Sequence, residues 1–139
     1  MEESEEIKTL IHEAGEANIQ GNIEFWDKHF SKNKDVMIFG TAPGEGIKGY
    51  DTILSALKTE LSVMKPSSFT IDTLHAFSEG SVGWYLVRAT TLYPNGTELP
   101  ARISGVMHKE DGIWKIVMQN ASLEVPDEKI KEIVEKWNF

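Results

Sequence analysis

Between Val82 and Ser122 the chain carries three long, apolar-rich runs separated by two tight turns, Pro94-Asn95-Gly96 and Glu110-Asp111-Gly112. Asn-Gly and Asp-Gly between apolar runs are strong hairpin signals, because both residues tolerate the positive φ that a two-residue turn demands. The runs therefore read as the consecutive strands Val82–Tyr93, Leu99–Lys109 and Ile113–Leu123 of an antiparallel meander. Helical patterns fill the first half of the chain. Helices followed by a long meander predict an α+β class, with a curved sheet wrapped over helices so that it encloses a pocket.

Composition narrows the class further. The 139 residues suit a single domain spanning 1–139, enough to bury roughly two-thirds of the unfolded surface. A formal net charge of −8 argues against nucleic acid, which calls for clustered Lys and Arg against the phosphates. No apolar run is long enough to span a bilayer, and the acidic Met1–Glu6 start is the opposite of a secretory signal. Cysteine is absent, so neither disulfides nor thiol chemistry are available, which fits a reducing, cytoplasmic setting.

Local signals place the remaining elements. Ile7, Leu10, Ile11, Ala14 and Ala17 recur at helical spacing, Ser4 is in place to cap that helix, and Gly21 ends it. Asn22 caps a short helix carrying Ile23, Trp26 and Phe30 on one face. Val36–Phe39 reads as a short strand, and Gly40–Gly46, with three glycines and a proline, as a loop over the cavity. A third helix covers about Asp51–Met64 and stops before Pro66. Phe69–Phe77 alternates Phe69, Ile71, Thr73, His75 and Phe77 against Thr70, Asp72, Leu74 and Ala76, as a strand does. Pro126-Asp127 opens a last amphipathic helix with Ile130, Ile133, Val134 and Trp137 on one side.

The meander strands are apolar on both faces. Val82, Trp84, Leu86, Arg88, Thr90 and Leu92 alternate with Gly83, Tyr85, Val87, Ala89, Thr91 and Tyr93. Likewise Trp114, Ile116, Met118, Asn120 and Ser122 alternate with Ile113, Lys115, Val117, Gln119, Ala121 and Leu123. An antiparallel sheet with one wet face alternates more sharply. Three helices cover one face of such a sheet, so the other is expected to meet a second subunit in a two-fold homodimer.

Several stretches resemble one family. They are Val36-Met37-Ile38-Phe39-Gly40-Thr41-Ala42-Pro43-Gly44-Glu45, Gly49-Tyr50-Asp51, Glu79-Gly80-Ser81-Val82-Gly83-Trp84, Asn95 to Ser104, and Asp111-Gly112-Ile113-Trp114-Lys115-Ile116-Val117. With the element order, they resemble the SnoaL-like branch of the nuclear transport factor 2-like superfamily from about Glu5 to Lys129. The resemblance implies a cone-shaped, cystatin-like roll: a mixed, mainly antiparallel sheet curved over the N-terminal helices. Its relatives include polyketide cyclases, ketosteroid isomerase, epoxide hydrolases, a kinase association domain and plain pocket proteins. Many of them carry His-x-Ser near the end of the last strand. Asn120-Ala121-Ser122 stands here instead, and Asn cannot serve as a general base.

The resemblance places a pocket on the concave side of the sheet. That makes Trp26, Phe30, Trp84, Arg88, Arg102, Met118, Asn120 and Ser122 its expected lining, with Tyr50 at the rim. A mainly apolar wall with a few polar groups suits a small molecule. Arg88, among Trp84, Leu86 and Leu92, demands a carboxylate if buried, which a ligand acid could supply; at the sheet margin it would instead pair with a surface Glu or snorkel to water. The expected partner is accordingly a small apolar or carboxylated ligand, with Arg88 or Arg102 fixing its polar end. The alternatives are an acid–base enzyme (cyclase, isomerase or hydrolase) and an oligomerisation module working through the outer sheet face.

The candidates for chemistry are few. His12 and His29 fall on helices, His108 lies beside a turn, and strand alternation separates His75 from Asp72. Asp27 sits about 100° round its helix from Trp26, and Asp35 reads as a turn residue. Arg88 has no flanking acids at strand spacing, which an Asp–Arg–Asp epoxide hydrolase site would need. No His-Glu-x-x-His motif, cysteine cluster or phosphate-binding glycine pattern is present, so no metal and no cofactor are expected.

Overall fold

The start of the chain is organised by Ser4, whose Oγ accepts the backbone N–H of Ile7 at 3.2 Å and so satisfies one of the open donors of the first turn. In the computed structural model, which describes residues 1–41, 44 and 46–137, this cap opens α1 (Glu5–Gln20), with Glu5 and Glu6 in its first turn. Gly21 closes it. Asn22 Oδ1 then accepts from Phe25 N–H at 3.3 Å and starts α2 (Ile23–His29). A two-residue strand, β1 (Glu2–Glu3), precedes α1. The others are β2 (Met37–Phe39), β3 (Gly46–Lys48), α3 (Tyr50–Val63), β4 (Ser68–Glu79), β5 (Val82–Leu92), β6 (Glu98–Glu110), β7 (Ile113–Leu123) and α4 (Asp127–Lys136).

All seven strands join one sheet in the order β1-β4-β5-β6-β7-β2-β3. Every pairing is antiparallel except β2 with β7. The Asp111-Gly112 turn joins β6 to β7 with positive φ at both residues, 51° and 78°, as a two-residue hairpin requires. The sequence does not reveal β1 and β3, which are two and three residues long. The expected loop ends earlier than predicted because Gly46 already pairs with Phe39. Ala42, Pro43 and Glu45 of that loop lie outside the described residues.

One face of the sheet is buried. Ala76, Tyr85, Val87, Ala89, Met107, Trp114 and Ile116 meet Ile7 and Ile11 of α1, Trp26 of α2 with the adjoining Phe30, and Ile53 and Leu61 of α3. This apolar contact is the dominant stabilising term of the fold. The aromatic members pack edge to face or tilted, with Trp26 and Phe30 centroids 5.7 Å apart. Trp26 Nε1–H donates to Asn18 Oδ1 at 3.0 Å, so its polar end is satisfied where the ring is buried.

Two irregularities change which residues share a face. The β4–β5 register shifts between Ile71 and Thr73, and the β6–β7 register shifts between Val106 and Met107, with Val117 as the extra residue. A bulge inserts one residue and inverts the alternation beyond it. On β4, Phe69 and Ile71 therefore share the helix-covered face with Leu74 and Ala76, and not with Thr73, His75 and Phe77 as strict alternation predicts. On β7, Trp114 and Ile116 are buried with Met107, whereas Met118, Asn120 and Ser122 pair with Val106, Ser104 and Arg102.

The last helix stands apart from the core. No residue of α4 is buried, and Ile130, Ile133 and Val134 are exposed on one side of it. Among the described residues no helix is long and apolar enough to cross a membrane.

Candidate functional site

The pairing register builds a lattice on the outer face of β4–β7. Phe77, Trp84, Val106 and Met118 stand in one row across four strands. His75, Leu86, Ser104 and Asn120 form the next, and Thr73, Arg88, Arg102 and Ser122 the one after. Residues directly opposite on antiparallel strands lie side by side, so each row is a contact line. The Phe77 and Trp84 rings stack with centroids 6.5 Å apart. Leu86 is 56% exposed and Val82 42%.

The nine residues expected to line one pocket are thus split by the sheet. Trp84, Arg88, Arg102, Met118, Asn120 and Ser122 do come together, but on the outer face. Trp26 and Phe30 are buried on the helix-covered side. Tyr50, at the start of α3, packs against the helix-side core beneath Lys32, whose Nζ lies 5.4 Å from the ring centroid. No molecule can touch Trp26 and Trp84 at once, because β5 lies between them. The expectation failed because nothing local to β5 says which of its two apolar faces the helices will cover.

Arg88 finds its carboxylates within the chain. Its Nε and Nη2 donate to the two oxygens of Glu124 at 2.6 and 3.0 Å, and Nη1 donates to Asp72 Oδ2 at 3.0 Å. Thr90 Oγ1 also donates to Asp72 Oδ2, at 3.2 Å. The bidentate Glu124 pair raises the guanidinium's proton affinity and holds the Glu124 carboxyl below its usual range. Acids therefore do flank Arg88, one from the β4 bulge and one from beyond β7, a convergence that strand spacing hides. The bulge also brings Asp72 to the face that carries His75, which simple alternation had kept apart. The cluster is open to water, with the Arg88 side chain 45% exposed. It is a satisfied ion-pair network and not a dry reaction site.

The other histidines and acids lie elsewhere. His12 is exposed on α1. His108 Nε2 shares a hydrogen bond with Ser81 Oγ at 3.3 Å. Asp35 belongs to a turn, its N–H donating to Asn33 Oδ1 and its carboxylate pairing with Lys48 at 3.2 Å. Asp27 is half-buried on α2.

Sequence reading missed a second cluster, on the helix-covered side at the β6–β7 turn. His29 is only 8% exposed, and its Nδ1 lies 3.0 Å from the Trp114 carbonyl oxygen. The indole N–H of Trp114 donates to Glu6 Oε2 at 2.9 Å, and Lys109 Nζ donates to the same oxygen at 3.3 Å. These donors hold the Glu6 carboxyl below its ordinary range. Nearby, Ser31 Oγ donates to Glu110 Oε1 at 2.8 Å. Glu5, Glu6, Thr9, Leu10, Lys28, His29, Ile113 and Trp114 border an open cleft of about 490 Å³. One signal was available: His29 follows Trp26 by three residues and precedes Phe30, which puts it on the buried side of α2.

A helical layer over one face of a single mixed sheet, whose long antiparallel meander is extended by a parallel β2, makes a cystatin-like roll. The chain belongs to the SnoaL-like domain family, whose pattern matches residues 7–128. No functionally curated protein matches it. Solved structures share the fold at low identity. An uncharacterised Caulobacter vibrioides protein with a cystatin-like fold superposes with a TM-score of 0.72 at 17% identity, covering 94% of this chain and 96% of that one. A nuclear transport factor 2-like Pseudomonas putida protein of unknown function gives 0.75 at 13%, covering 89% and 88%. A Streptomyces avermitilis protein of the same family, proposed to be a dehydratase, gives 0.75 at 13%, covering 88% and 96%. At such identities the likeness extends to the fold alone.

Proposed function

We propose that this SnoaL-like domain works as a homodimer that joins through the outer face of β4–β7. The observation that carries the reading is the row Phe77, Trp84, Val106 and Met118, bordered by exposed Leu86 and Val82. A contiguous apolar patch on a sheet face opposite the helices marks an association surface. A two-fold axis through the sheet lets each row meet its own copy, so one patch supplies both halves of the contact. Arg88, Asp72 and Glu124 already satisfy one another and form a polar rim, the usual surround of an apolar interface centre. The exposed apolar side of α4 gives each protomer a second surface with which to extend the contact.

A second reading, a small-molecule-binding domain, rests on the cleft at His29. Arg88 does not support it, because Glu124 and Asp72 already occupy the guanidinium. An acid–base enzyme would need an ionisable group in a cleft, and His29 lines this one together with Glu5, Glu6 and Lys28.

Light scattering coupled to gel filtration tests the dimer. The expected mass is twice 15.6 kDa at micromolar protein. Leu86→Glu places a charge beside the apolar row without touching the core, and is expected to weaken association by about tenfold, or roughly 1.4 kcal/mol. A wild-type protein that stays at the monomer mass at high concentration overturns the reading.

A further inference from the structure

We propose that α4 of each protomer is an arm that packs on the outer sheet face of a second copy of this chain. The inference rests on the homodimer proposed above and names what covers the apolar side of α4. The helix is 10 residues long, and isolated helices shorter than about 12–15 residues are marginal in water. Its start adds little, because Pro126 at the N-cap offers no side-chain hydrogen bond. Lys129 pairs with Glu132 at 3.6 Å and Lys131 with Glu135 at 4.0 Å, exposed contacts of a kind that contributes little. Ile130, Ile133 and Val134 make an uncharged, exposed stripe. A short amphipathic helix is stabilised mainly by packing such a stripe, yet no residue of α4 is buried within its own protomer.

Position and area both favour the second copy as the occupant. Glu124, the first residue after β7, reaches the outer-face Arg88 with both carboxylate oxygens, so the chain leaves the strand on the outer side of the sheet. Only Val125 and Pro126 separate that anchor from α4, which therefore starts at the margin of the face where a partner would sit. The apolar row on that face extends past β7: Met37 pairs with Met118, and Met37 and Phe39 are exposed on β2. Five strands about 4.8 Å apart and two rows of side chains make a strip on the order of 300 Å². A stable interface takes about 800 Å² from each partner, so the strip alone falls short. A helix of this length, about 15 Å long and roughly 10 Å across, adds a side on the order of 150 Å². Two-fold symmetry makes the exchange reciprocal, so each protomer gains that area. Pairing of α4 with its own copy is disfavoured. At about 100° per residue Lys129 and Lys136 flank the stripe on one side, and two antiparallel copies would set lysine against lysine.

Three measurements on the full-length protein test the arm. Light scattering across a dilution series compares Ile133→Glu with wild type. The substitution lies outside the core, and association is expected to weaken about tenfold, as loss of an apolar interface contact does. Hydrogen exchange follows the α4 amides, which should be protected where wild type is dimeric and exchange freely in Leu86→Glu at a concentration where that variant is monomeric. A mixed dimer then locates the occupant. The chain has no cysteine of its own, so Lys136→Cys takes a single spin label. In an isotope-labelled partner the label should broaden outer-face amides near Leu86 and Met118 more than those of α4. A wild-type monomer overturns the dimer, and the arm with it. Unchanged affinity in Ile133→Glu, or α4 amides that exchange equally fast in monomer and dimer, overturns the arm and leaves the dimer standing. Stronger broadening in the partner's α4 than on its sheet also overturns it, in favour of helix–helix pairing.

Discussion

At the scale of single residues, close packing decides most of what this chain tolerates. Tyr85 lies across Gly105 of the neighbouring strand, and its hydroxyl donates to Gln119 Oε1 at 2.5 Å. A Cβ on residue 105 would sit inside the Tyr85 phenol and 2.7 Å from the Met118 carbonyl oxygen. Backbone cannot retreat as a flexible side chain can, so Gly105→Ala should destabilise the protein by about 3 kcal/mol, through overpacking. Urea unfolding read by far-ultraviolet dichroism checks this, and a shift below about 1 kcal/mol would mean that the ring moves aside freely. Arg88 shows the limit of sequence at this scale. Its apolar neighbours suggested a carboxylate partner, but Asp72 and Glu124, 16 and 36 residues away, could be found only in the fold.

At the scale of elements, local chemistry was largely legible. The caps at Ser4 and Asn22, the stop at Gly21 and the Asp111-Gly112 turn are set by residues within three or four positions of one another, and they stand where the sequence put them. Ser4→Ala should therefore cost about 1 kcal/mol, the usual value of an N-cap, read as a lower midpoint in the same urea titration. An unchanged midpoint would show that water replaces the hydroxyl at the first turn. The short strands β1 and β3 escaped notice because they hold to the sheet by pairing with β4 and β2 and have no apolar period of their own. The bulges at Asp72 and Val117 escaped for a related reason: a register shift belongs to two strands, and neither alone records it.

At the scale of the whole molecule, burial shapes the dependence of stability on pH. The Tyr85 hydroxyl is pushed well above its ordinary value near 10 by burial, with Tyr93 raised by burial and by Glu60. The folded state then holds protons that the unfolded chain has released. Stability is insensitive to these groups below pH 10 and falls as pH rises beyond it, by about 1.4 kcal/mol per pH unit for each proton held. Tyr85→Phe should flatten most of that alkaline slope in thermal melts followed against pH, and an unchanged slope would assign it elsewhere. Glu6 and Glu124 act in the opposite sense, their lowered values supporting the fold above the ordinary carboxylate range and losing that support as pH falls. The α+β class, the order of the main helices and strands, the tight turns and the SnoaL-like membership were all determined by the sequence alone, because periodicity, caps and turn chemistry act over a few residues. The side of the meander that meets the helices, the two register shifts, the partners of Arg88 and the placing of His29 against Trp114 were decided only by tertiary structure, because each depends on residues distant in sequence competing for the same buried space.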